Sequence, residues 1–273
     1  MDAVTLDDTA AFQALVAQAM AAPVVGWRFP FLEERLVREP PSWDYAGLAR
    51  TLLVSAATAV DHGTGGGEVL RDLGVVPPLL VATEAFPPNV AVAAGLLGPA
   101  GACVAQVSGE THNSSGPGED NAHPARRLPF RDSAFDVFLC RNGAFCAAEA
   151  FRMLRPSGHL LHQSGLVGPR RAGEVTLRDY FVPGAPDGWG PWPVRDRLLD
   201  AGFVLLDYRE ELTRILYLDI AAVVFALRMV PWTVGEFRLD DHRSRLFELH
   251  RQIARDGPLV TASTGVYAHA VRP

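Results

Sequence analysis

Lysine is missing from this chain of 273 residues, and all 25 of its basic side chains are arginine. Every mechanism that needs a side-chain primary amine is therefore excluded, including a Walker A phosphate loop, a pyridoxal phosphate Schiff base and a lysine nucleophile. With many Ala, Arg, Gly and Pro residues, the bias reads as high-GC codon usage, and no mechanism follows from it. Cysteine is scarce: Cys103, Cys140 and Cys146 are an odd number without a Cys-x-x-Cys pair. They read as reduced, buried thiols of a cytoplasmic protein. An excess of positive charge is lacking too, since the formal net charge is −6. Nucleic acid is thus not an expected partner, and Arg126-Arg127 with Arg131, and Arg170-Arg171, read as solvated surface. No apolar run reaches membrane-spanning length, and Asp2, Asp7 and Asp8 oppose the basic start of a signal peptide, so no membrane partner is expected. His112 and His123 have no third ligand near them in a polar loop over 108–125, so no metal site is expected.

What is present is a hydrophobic share of 48%, enough for one large α/β domain with additions. Its most informative stretch is Val60-Asp61-His62-Gly63-Thr64-Gly65-Gly66-Gly67-Glu68, where an apolar run stops at an acid and then at glycines spaced two apart. Such a stretch feeds a strand through a side-chain-free turn into a helix and leaves backbone N–H groups bare for a ligand. A second run, Leu79-Leu80-Val81-Ala82-Thr83, ends at Glu84, placing a carboxylate where a ribose diol could be gripped. A dinucleotide-binding turn fits less well. The position three after Gly65 is Glu68, and Asp61 precedes the turn, so two acids would face a pyrophosphate. A ligand carrying an ammonium or sulfonium group suits them better.

On these residues the chain resembles the class I S-adenosylmethionine-dependent methyltransferases, whose first motif reads acid-x-Gly-x-Gly-x-Gly and whose second strand ends in a ribose-binding acid. Two further segments carry the resemblance. Leu128-Pro129-Phe130 through Phe135-Asp136-Val137 is similar to the family's turn into its fourth strand, and Phe151 through Leu160, with Arg155-Pro156-Ser157-Gly158, to the helix, turn and fifth strand that follow. The match spans about residues 50 to 165, with Ser157 where glycine is usual. The flanks, Trp27-Arg28-Phe29 and Pro231-Trp232, resemble an actinobacterial group of the methyltransferase domain 11 type. The resemblance implies a Rossmann-like fold with a mostly parallel seven-stranded sheet, S-adenosyl-L-methionine as cofactor and a small-molecule methyl acceptor as partner. It implies Asp61, Gly63, Gly65, Glu84 and Asn89 as cofactor-binding residues, Asn89 lying in the helix opened by Pro87-Pro88. Pro124 stands where the family usually has an adenine-binding acid, leaving Asp120, Asn121 or a backbone group as substitutes.

Helical spacing of Phe12, Leu15, Val16, Ala19 and Met20 predicts a helix over 8–22, followed by an aromatic passage with Trp27, Phe29, Phe31, Trp43 and Tyr45. Residues 1–50 are expected to form an N-terminal cap, 51–211 the Rossmann-like core, 212–258 a helical insertion and 259–273 the last strand. Strands are expected near 55–61, 79–84, 102–107, 134–141, 158–164, 203–208 and 266–271, and helices near 218–230 and 240–255. Cap and insertion should meet over an acceptor pocket lined by Trp27, Tyr180 and Trp232. Acid charge and aromatic flanks favour a small, partly hydrophobic or aromatic acceptor over RNA, with cofactor binding without methyl transfer as a further alternative. Arg141-Asn142 and His162-Gln163 occupy the tips of strands four and five, where ligands sit in open parallel sheets. His162, Asn142 and Arg141 are thus the catalytic candidates, His162 as general base if the acceptor arrives protonated.

Overall fold

The computed structural model describes residues 6–24, 28–107, 127–165, 173–182 and 194–273. Its eight strands are β1 (Leu36–Arg38), β2 (Thr58–His62), β3 (Leu79–Glu84), β4 (Cys103–Gln106), β5 (Phe135–Arg141), β6 (Leu154–Gly165), β7 (Val204–Tyr217) and β8 (Leu259–Val271). They form one sheet in the order β1-β7-β8-β6-β5-β2-β3-β4. β2 to β6 run parallel, while β8 is antiparallel to β6 and β7, and β1 to β7. The fold class is the expected one; the strand count is corrected from seven to eight by β1, a short edge strand too brief to show an alternating pattern.

Helices cover both faces, because β3 and β5 are near-continuous apolar runs, and β2 and β6 carry adjacent apolar residues, Ala59-Val60 and Leu160-Leu161, that need burial on each side. On one face α3 (Tyr45–Ser55), α4 (Glu68–Leu73) and α5 (Pro87–Leu97) bury Ala49, Leu53, Leu70, Leu73, Ala93 and Leu97 against Leu80, Ala82, Leu139 and Leu161. On the other, α6 (Ala147–Met153) and α8 (Val194–Asp200) pack Ala150, Met153 and Leu198 against Phe138, Cys140 and Leu160. Asp44 starts α3 by accepting a 2.8 Å hydrogen bond from the Gly47 amide.

A third core lies apart from these two. α1 (Leu6–Ala21), α2 (Pro30–Glu33), α9 (Ile220–Met229) and α10 (Leu239–Asp256) join α7 (Leu177–Phe181) around Phe12, Phe225, Leu246 and Leu249. α9 is buried from Ile220 to Leu227, with Phe31 stacked on Phe225 and Asp219 capping its first turn. The N-terminal segment and the residues between β7 and β8 thus share one helical unit. β7 runs on past 211 to Tyr217, so that unit starts later than expected.

Register places the unit. β6 ends where Gly165 pairs with Gly265, while β8 continues back to Leu259 alongside Glu211 to Tyr217 of β7. The helical unit therefore stands beyond the C-terminal edge of β6, the edge at which the strands of the parallel core end. β8 also begins earlier than the expected 266, because Thr261, Ser263, Thr264 and Gly265 interrupt the apolar pattern that marks its remainder. Among the described residues no helix is long and apolar enough to cross a membrane.

Candidate functional site

The sheet reverses direction of winding between β2 and β5, the crevice where ligands collect in open α/β sheets. Gly63, Gly65 and Gly67 have φ of +71°, +63° and +83°, left-handed values that a side chain rarely adopts. A Cβ on Gly67 would lie 2.8 Å from Leu97, so the turn is also pressed against α5. Across the crevice, Asn142 takes φ of +57° and donates its amide to the Gln163 carbonyl at 2.7 Å. Two tight turns thus face each other, close enough that a Cβ built on Gly63 would sit 3.7 Å from the Gly143 Cα.

Glu84 ends β3 and is tied to the glycine turn. One carboxylate oxygen accepts from the Gly65 amide at 2.7 Å, the other from Ala85 and Phe86 at 2.9 Å each. A carboxylate offers about four lone-pair sites, so three of them are already engaged. Asn89 lies in the first turn of α5, with its amide on the Phe86 carbonyl. Asp61 is 8% exposed. Burial pushes its carboxyl up to about 6, against the Thr64 hydroxyl and Arg141, which favour its charge, and with Glu84, which opposes it.

The three catalytic candidates separate. Arg141 lies on the α3 face with Asp61, because Asp61 pairs with Leu139, two residues before it. Gln163 is its register partner and accepts from the Trp43 indole at 2.8 Å. Asn142 is exposed on its turn. His162 points to the α6 face, is 1% exposed and packs 4.9 Å from the Phe145 ring. Its Nδ1 lies 3.1 Å from the Cys140 carbonyl and its Nε2 2.9 Å from the Ser164 hydroxyl. The carbonyl can only accept, so Nδ1 carries the proton and Nε2 accepts from Ser164. Burial lowers its pKa to about 4, and it is neutral at pH 7 with both nitrogens held by the protein. His62 is its counterpart, bonded to Thr83 at 2.9 Å and lowered to about 4 by burial.

Trp43 and Tyr45, from the aromatic passage expected to lie over the pocket, neighbour the site, as does Thr83, which no motif marks. Trp43 stacks on Tyr267 with centroids 5.6 Å apart, and Tyr45 is 6% exposed in the same cluster. The aromatic passage that contains Trp43 and Tyr45 was a signal, but α3, which carries Tyr45, was not expected. Tyr180 donates to the Val260 carbonyl at 3.1 Å and packs on the helical unit. Trp27, Arg126, Asp120, Asn121, Pro124, His112, His123, Arg170 and Arg171 fall outside the described residues, as does the side chain of Trp232. Among the described residues no group of three metal-ligating side chains is present.

No protein-family model and no curated protein sequence matches the chain. Solved structures do. A presumed methyltransferase of Bacillus halodurans C-125 superposes with a TM-score of 0.56 at 18% identity, over 84% of this chain and 99% of its own. The YcgJ protein of Bacillus subtilis gives 0.53 at 15%, over 84% and 97%. The (4+2) cyclase SpnF gives 0.51 at 15%, over 98% and 93%. The likeness is one of fold, and the fold is that of the class I methyltransferases.

Proposed function

We propose that this protein binds S-adenosyl-L-methionine between the two turns and transfers its methyl group to a small, partly hydrophobic or aromatic metabolite. The observation that carries the reading is the joint geometry of the left-handed glycine turn and Glu84 at the β2/β5 crevice. The residues present fit the cofactor: side-chain-free backbone at Gly63 and Gly65, a carboxylate at the β3 tip for ribose hydroxyls, and Asp61 beside the turn for a cationic end. Ribose contact with both hydroxyls needs Glu84 to share or release the Gly65 amide. When bound, the cofactor supplies an electrophilic methyl on a sulfonium, whose departure is neutral, so positioning can provide much of the rate.

The chain's own part is to orient and exclude water. The helical unit beyond the β6 edge supports an acceptor-side wall there, and Arg141, Asn142 and Gln163 stand between it and the crevice. With both nitrogens of His162 engaged, we infer that an acceptor bearing a free lone pair is served by positioning alone. The formal charge of −6, and Arg127 already paired with Asp132 at 2.6 Å, weigh against the alternative of RNA. A second reading, cofactor binding without methyl transfer, draws on the likeness to SpnF, named as a cyclase and covering 98% of this chain. Incubation with methyl-labelled cofactor and a metabolite extract separates them: labelled product together with S-adenosylhomocysteine supports transfer, and binding without either supports the second reading.

A further inference from the structure

Beside the crevice, a row of polar groups offers donors without an acceptor. Arg141 and Gln163 are register partners on the α3 face, and Tyr267 continues the row on β8. The guanidinium of Arg141 makes no hydrogen bond or ion pair among the described residues, although it is only partly exposed. The Gln163 carboxamide is oriented by Trp43: an indole N–H can only donate, so the Gln163 oxygen faces Trp43 and its NH2 group is left over. Tyr45 is 6% exposed, its hydroxyl has no hydrogen-bond partner among the described residues, and it interacts electrostatically with Asp61 first and also with Arg141. Arg38, at the end of β1, adds a second positive charge within electrostatic range of Arg141. Asp61 is on the same face but does not pair with the guanidinium, since two residues along a strand advance about 7 Å.

Burying an ionic donor without an acceptor is strongly unfavourable, and a planar guanidinium is satisfied best by two oxygens of one carboxylate. Three neighbouring donor groups without a hydrogen-bonded acceptor select a ligand that brings acceptors. We propose that Arg141, the Gln163 amide and the Tyr45 hydroxyl form a carboxylate-binding subsite at the tips of β5 and β6. It deepens the cofactor reading and rests on it for the presence of a ligand there. The carboxylate belongs either to the amino-acid end of the cofactor or to the methyl acceptor.

The test titrates S-adenosylhomocysteine, its decarboxylated analogue and benzoate into the wild type, Arg141→Met and Tyr45→Phe, with circular dichroism as the folding control. If the cofactor supplies the carboxylate, Arg141→Met weakens S-adenosylhomocysteine about 20-fold or more, Tyr45→Phe about fivefold, and the decarboxylated analogue less than about twofold. If the acceptor supplies it, S-adenosylhomocysteine is unaffected, and benzoate binds the wild-type complex but not the Arg141→Met complex. Equal weakening of both nucleosides, or no change for any carboxylate, overturns the subsite. Should Arg141→Met not fold, Arg141→Lys keeps the charge without the fork and is read in the same way. If the wild type binds no nucleoside, the cofactor reading fails, and benzoate titrated alone still decides the subsite.

Discussion

On the proposed function Glu84 has two tasks, and this changes what its removal does. Because its carboxylate holds the Gly65, Ala85 and Phe86 amides, Glu84→Ala frees three backbone donors as well as removing the proposed ribose ligand. We expect S-adenosylhomocysteine affinity to fall more than about tenfold in calorimetry and stability to fall by about 1–3 kcal/mol in denaturant unfolding. Loss of stability without loss of affinity would make Glu84 a turn anchor only. For His162→Ala the expected result is a fall in turnover of less than about tenfold at saturating donor, because neither nitrogen is open to an acceptor. A fall of about 100-fold with donor affinity preserved would restore it as a general base. The glycines and Glu84 were readable in the sequence because turn chemistry is local. The enclosure of His162 was not, since His162-Gln163-Ser164 follows an apolar strand and nothing in that pattern shows which face closes over an imidazole.

Helices and strands were readable where their periodicity is long and uninterrupted. α9 and α10 appear where an apolar run and a strongly amphipathic stretch predict them. α3 was not anticipated, because its Ala49 and Leu53 follow an aromatic, proline-crossed passage that reads as cap. The helical unit depends on single residues at its seams. Asp219 accepts the Ala222 amide at 2.9 Å and also pairs with Arg35, joining α9 to the N-terminal segment. Asp219→Ala should cost about 1–2 kcal/mol in denaturant unfolding. Affinity for S-adenosylhomocysteine should stay within about twofold, because the cap lies in the helical unit and not in the crevice. A tenfold loss would show that the unit shapes the cofactor site itself.

At the scale of the molecule, pH sets stability through its buried ionisable groups. His62 and His162 have pKa values of about 4 in the folded chain, below the ordinary 6.5, so the unfolded state binds more protons as pH falls below 6.5. Their contribution is present above 6.5 and is lost progressively down to about 4. Asp61 runs the other way: its folded value of about 6 exceeds 3.8, so acidification through 6 stabilises the fold. From pH 7 to 5 the two histidines lose about 2 kcal/mol each and Asp61 returns about 1, a net loss of roughly 2–3 kcal/mol. A drop in Tm of several degrees over that interval is expected in calorimetry, and in His162→Gln it should shrink by about two-thirds or more. No change in Tm would mean that these side chains are hydrated.

The central claim is that the turn at Gly63 to Gly67 holds the nucleoside end of a sulfonium cofactor. Parallel titration of S-adenosylhomocysteine into the wild type and Gly65→Val tests it most directly. Gly65 sits at φ of +63°, where a branched side chain is strained and would occupy the ligand's place. We expect saturable one-to-one binding to the wild type and no detectable heat with a folded Gly65→Val. Equal affinity in both proteins, or no binding to either, would contradict the account.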